Sequence, residues 1–164
     1  MKIILFLIIL TFFLPFFTIY FDAPLLALLF NAEKVTFSGF EAALEKRTEA
    51  GFYQEGSPLL FILAAAPVIM LIFIFLFKAK QSLLFKNIFI AAPIFNIFAG
   101  ITVIFIARIL TEKKIADSFG DFNMRNIANF IYFRPGYGLI LYIILNAVLL
   151  AVASVSYFKD IKKD

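Results

Sequence analysis

Four apolar runs decide what this chain can fold into: Ile3 to about Phe21, Pro58–Phe77, Asn87–Leu110 and about Gly136–Phe158. Of all the charged side chains, only Arg108 falls inside a run. A helix crossing the roughly 30 Å hydrocarbon core of a bilayer needs about 20 mostly apolar residues. Lipid offers the backbone no hydrogen-bond partners, so a helix that satisfies them internally is favoured there. The runs therefore predict an all-α membrane protein with a four-helix transmembrane bundle, residues 1–164 forming one domain. Ser57 and Pro58 make a good helix start, an N-cap followed by a proline in the first turn. Tyr20, Tyr137 and Tyr157 fall near run ends, at the level of lipid head groups.

Composition agrees. The chain is 63% hydrophobic with a mean hydropathy of +1.00, against about 45–50% apolar residues in soluble domains. It has no cysteine, histidine or tryptophan. That excludes disulfides, thiol chemistry, Fe–S ligation and histidine-based acid–base work, and it disfavours zinc sites. The net charge of +4 bears on orientation and acidic lipids, not on nucleic acid.

The first run is longer than a signal peptide's apolar region, and no small-x-small cleavage site follows it, so it is expected to remain as a helix. An even number of spans puts both termini on one side. Lys2, Lys78, Lys80, Lys86, Lys159, Lys162 and Lys163 then share that side within about 17 residues. The opposite side spreads its cations over about 60. The denser side is expected to be cytoplasmic, in a bacterial cytoplasmic membrane.

Two outer loops, about 22–57 and 111–135, are too long for turns. Lys34–Phe37 (KVTF) and Phe130–Arg134 (FIYFR) have the β-branched and aromatic content of strands and are expected to pair. Ser38 and Glu41 form a capping-box pattern, with a helix of about three turns expected from there to Gly51. Together these give a small outer cap with short strands and one helix. The second loop is rich in aromatics. Packing is the first expectation for them, and Phe119, Phe122, Phe130 and Phe133 form a candidate interaction patch.

Chemistry inside a membrane needs ionisable or metal-binding groups at depth. Here no charge lies near a span centre. The acid pair of an intramembrane aspartyl protease, the Ser/His of a rhomboid-like one, the cysteines of a thiol oxidoreductase and the buried Glu of a small multidrug exporter are all missing. Asp22, Glu33 and Arg108, at outer edges, are the residues a lipid-precursor enzyme would have to use. No catalytic, cofactor or metal residue is expected, and no cofactor.

The polar groups that do lie deep are amides and hydroxyls. Asn96 is flanked by Ala92 and Gly100 at spacings of four, so the three share a helix face that admits a close neighbour. Asn146 lies at a similar depth on the next span, followed by Ala147 and Ala151. Consecutive antiparallel helices are usually neighbours. Asn96 and Asn146 are therefore expected to hydrogen-bond across spans three and four. The rival is an oligomeric pore lined by Asn96, Asn146, Thr102 and Thr11.

The whole-chain layout resembles small four-span proteins of the claudin-like kind. VTFSGFEAAL before the second span and PGYGLILY opening the last also look like bacterial membrane proteins of that layout. The claudin Trp and Cys signature is absent, so barrier function does not carry over. What the resemblance implies is a left-handed four-helix bundle with a β-containing cap, working through lateral or extracellular contacts. The expected function is a non-enzymatic accessory or scaffold subunit. Its partners would be the lipid bilayer and other membrane subunits or copies of itself. The alternative is a small oligomeric channel or transporter-like protein.

Overall fold

The computed structural model describes residues 1–22, 33–44, 46–47, 53–54, 57–76, 83–119 and 131–161. In chain order these form helix α1 (Lys2–Thr11), strands β1 (Pro15–Phe21) and β2 (Lys34–Ser38), helix α2 (Gly39–Ala43), strands β3 (Lys46–Arg47) and β4 (Tyr53–Gln54), helices α3 (Pro58–Leu76) and α4 (Leu83–Phe119), strand β5 (Ile131–Pro135) and helix α5 (Tyr137–Ile161). Three helices are long and apolar enough to cross a membrane, over Pro58–Phe75, Asn87–Ile106 and Tyr137–Tyr157. This is the architecture of a membrane protein.

The first run departs from expectation. Only its first half is helical, and α1's 10 residues extend about 15 Å, half a bilayer core. A last turn over Phe12–Leu14 follows, Leu14 N donating to Thr11 O at 3.0 Å. Then Pro15 opens a strand. Proline disfavours helical geometry in the residue before it and supplies no N–H. The sequence after it, PFFTIYF, is aromatic and β-branched, which suits a pleated surface. The first run is thus a short helix handing over to a strand.

That strand changes the sheet. β2 and β5 were expected to pair with each other; instead β1 lies between them in the order β2-β1-β5, antiparallel on both sides. The registers are Thr18↔Thr36, Ile19↔Val35 and Tyr20↔Lys34 on one side, Thr18↔Arg134, Ile19↔Phe133 and Tyr20↔Tyr132 on the other. Strand alternation then sorts the faces. Phe17, Ile19, Phe21, Val35 and Phe37 are buried, while Tyr20, Lys34, Thr36, Tyr132 and Arg134 are exposed.

The capping box forms as expected. Glu41 N donates to Ser38 Oγ at 3.3 Å, and Ser38 N donates to Glu41 Oε2 at 2.9 Å. The helix it starts does not run to Gly51. It ends after Ala43, with Leu44 extended at φ −96° and ψ 160°. An isolated three-turn helix is marginal on propensity alone, and here the chain turns into the β3–β4 pair, Lys46 opposite Gln54. Ser38→Ala should lower stability by about 1 kcal/mol, read as a small drop in the melting temperature of the detergent-solubilised chain.

Helix α4 also differs from the expected third span. It has 37 residues and is about 55 Å long. Residues 111–119, expected in a loop, continue it past the membrane-length segment. Helix α4 packs against α5, α1 packs against α3 and α5, and α2 lies over α3 and the sheet. The four-span bundle is therefore three span-length helices with a short α1 beside two of them. Lys2 Nζ sits 4.3 Å from the Phe75 ring centroid, so α1 begins at the end of the molecule where α3 finishes.

Candidate functional site: a polar chain between the helices

Asn96 and Asn146 meet. Asn96 Nδ2 donates to Asn146 Oδ1 at 3.0 Å, and the residues are 1% and 0% exposed. Local sequence explains how two helices come close enough. A Cβ at Gly100, one turn from Asn96, would lie 3.2 Å from Ile143 Cγ1 and 3.7 Å from Tyr142 Cδ1. The missing side chain is the space that α5 occupies. Ala92, the other small neighbour, is half-buried against the core. On α5 the small residues behave differently: Ala147 and Ala151 are exposed, and Leu149 and Ala153 are buried instead. The buried face of α5 is the one that carries Asn146 itself, with Leu149 and Ala153 three and seven residues on.

The contact continues beyond the two amides. Asn146 Nδ2 donates to the Tyr142 carbonyl at 2.8 Å, and Tyr142 Oη donates to the Leu63 carbonyl on α3 at 3.3 Å. Leu63 is the residue four before Pro67, which has no N–H to return to it. Proline in α3 thus frees an acceptor in a dry interior, and a tyrosine from α5 satisfies it. The chain ties α4, α5 and α3 together. Tyr142 also packs edge-on against Phe12, with centroids 5.4 Å apart, which brings the turn after α1 into the same cluster. Sequence reasoning did not single out Tyr142. Two signals pointed to it: the carbonyl released by Pro67, and a buried-depth tyrosine one turn before Asn146.

One valence stays open. Asn96 Oδ1 is buried and accepts no hydrogen bond among the described residues. An unmet buried acceptor costs about 1–3 kcal/mol, so the network gains less than its bond count suggests. Tyr142→Phe would add a second, stranding the Leu63 carbonyl. We expect a loss of about 1 kcal/mol, largely absent in a Pro67→Ala background where the helix supplies the N–H. Thermal unfolding of the four proteins in one detergent measures it.

The remaining expected residues are dispersed. Thr11 is buried, but its Oγ1 donates to Ile8 O in its own helix at 2.6 Å. Thr102 is exposed, bonding to Phe98 O at 2.9 Å. Of the aromatic patch, Phe133 is half-buried, its ring 5.2 Å from that of Phe17. Phe119 ends α4, its side chain outside the described residues, as are Phe122 and Phe130. Asp22, Glu33 and Arg108 are all exposed. Among the described residues, no three acid, histidine or cysteine side chains gather as a metal site would require. The chain matches no protein-family model, no curated protein and no solved structure.

Proposed function

We propose that the chain is a non-enzymatic accessory or scaffold subunit of a membrane complex, acting through lateral helix contacts and its outer segments. One observation carries the reading: the deep polar groups are spent on holding helices together. Asn96, Asn146 and Tyr142 bond to one another or to backbone within one chain. A channel lined by Asn96 would need that side chain to face a shared axis, and it is 1% exposed in the single chain; Thr102 is exposed, with its hydroxyl bonded to Phe98 O of its own helix. The membrane-facing sides remain broadly apolar, with Phe98 and Phe105 more than half exposed. Such sides serve lipid or a neighbouring subunit equally well.

In this reading both termini are cytoplasmic, in a bacterial membrane, and the sheet lies outside. The position of Lys2 beside the end of α3 supports termini on one side. The claudin-like layout fits the same role. Purification in mild detergent with protein identification tests it. A partner at fixed stoichiometry supports the subunit reading. A partner-free homo-oligomer that conducts ions in liposomes would replace it with the channel.

A further inference from the structure

The outward face of the sheet has no role in the packing just described. Two rows cross it, Thr36–Thr18–Arg134 and Lys34–Tyr20–Tyr132. The Thr18 and Thr36 hydroxyl oxygens are 3.4 Å apart. The Arg134 guanidinium lies over the Tyr20 ring, 5.3 Å from its centroid. The ring restrains the guanidinium through its face and leaves the N–H donors around the rim for a ligand.

Position says which ligand. β5 runs through Gly136 straight into α5, with no linker between sheet and span. Arg134 is three residues before Tyr137, about 10 Å from the span at strand rise. The head-group layer adds roughly 5–8 Å to each side of the hydrocarbon, a difference an arginine side chain can bridge. Tyr137, 57% exposed, stands between them at the interfacial level tyrosine prefers. The geometry points to a head-group site for acidic phospholipid: Arg134 takes the phosphate, with the Thr18 and Thr36 hydroxyls beside it and Lys34 adding charge from the second row. Two acids mark the other end. Asp22 and Glu33 flank the distal strand ends, where Phe21 N donates to Glu33 O at 3.0 Å. They oppose a long polyanion lying across the whole face. Arg134 near the membrane and two acids far from it, beside Lys34, favour a lipid head group over an acidic polymer. The inference stands whether or not the chain has a protein partner.

Native mass spectrometry of the full chain in mild detergent tests this, with phosphatidylglycerol and phosphatidylcholine of identical acyl chains added in turn. The native protein should retain the acidic lipid about five-fold better, the effect of one juxtamembrane cation. Arg134→Gln should remove one tightly held phosphatidylglycerol and leave the melting temperature unchanged, since the side chain is exposed. Lys34→Gln should cost less. Equal retention by native protein and Arg134→Gln overturns the site. So does a larger effect from Lys34→Gln, or competition by acyl-free glycerol phosphate as effective as that by the lipid.

Discussion

Gly136→Ala should be the most damaging single-methyl change in this protein, costing about 3 kcal/mol, the upper part of the range for overpacking. A Cβ there would run into the Pro15 carbonyl. Both sides of the contact are backbone, and neither can rotate away. Gly136 N also donates to Phe16 O at 2.6 Å, the bond that docks β1 onto the start of α5. A Cβ at Gly138 would meet Leu14 Cβ and the Pro15 carbonyl, each at 2.9 Å, so neither glycine of this junction tolerates a side chain, while Tyr137 between them is exposed. The expected result is a much lower yield of monodisperse protein and a melting temperature several degrees down. A Gly136→Ala protein as stable as the parent would mean that the sheet does not dock on α5 in this way.

Asn146→Leu should be the second largest, at about 2 kcal/mol, and larger than Asn96→Leu. The reason is position in the chain of bonds. Asn146 both accepts from Asn96 and donates to the Tyr142 carbonyl. Without it, the Asn96 amide is buried with neither end bonded, because its Oδ1 already lacks a partner. Removing one member of a buried polar pair costs the desolvation of the other, whereas removing both is nearly neutral. The double variant Asn96→Leu/Asn146→Leu should therefore be more stable than Asn146→Leu alone. A double-mutant cycle in denaturing detergent measures the coupling, expected at about 0.6–2 kcal/mol. Strict additivity would show that the two amides do not interact.

Much of this was legible in the sequence where independent signals agreed. Ser57–Pro58 and Pro135–Gly136 mark the starts of α3 and α5 beside sharp changes in hydropathy. The meeting of Asn96 and Asn146 follows from helix rise, chain direction and the small residues at Ala92 and Gly100. The first run was not legible, because in PFFTIYF only Thr18 and Tyr20 alternate with Phe17, Ile19 and Phe21, a contrast too short and too faint within an apolar run to separate strand from helix. Pro15 was its one clue, and prolines also sit inside α3 and α4 without ending them. Missing β1 made β2 and β5 look like direct partners. Residues 44–50 favour helix locally, and tertiary pairing of Lys46 with Gln54 prevailed. The open valence on Asn96 Oδ1 depends on side-chain rotation, which spacing does not encode.

The sheet's strand order has a consequence for biosynthesis. Its central strand is made near the beginning of the chain and its last edge near the end, with two span-length helices between them. Contacts this distant in sequence form late. β1 and β2 can pair as soon as both have been made, but the other edge of β1 stays open until β5 follows the second of those helices. An open edge is a template for unintended pairing. A chain truncated before β5 would keep its hydrophobic helices and still expose that edge. The join at Gly136 therefore closes the sheet only once β5 and the start of α5 have both been made.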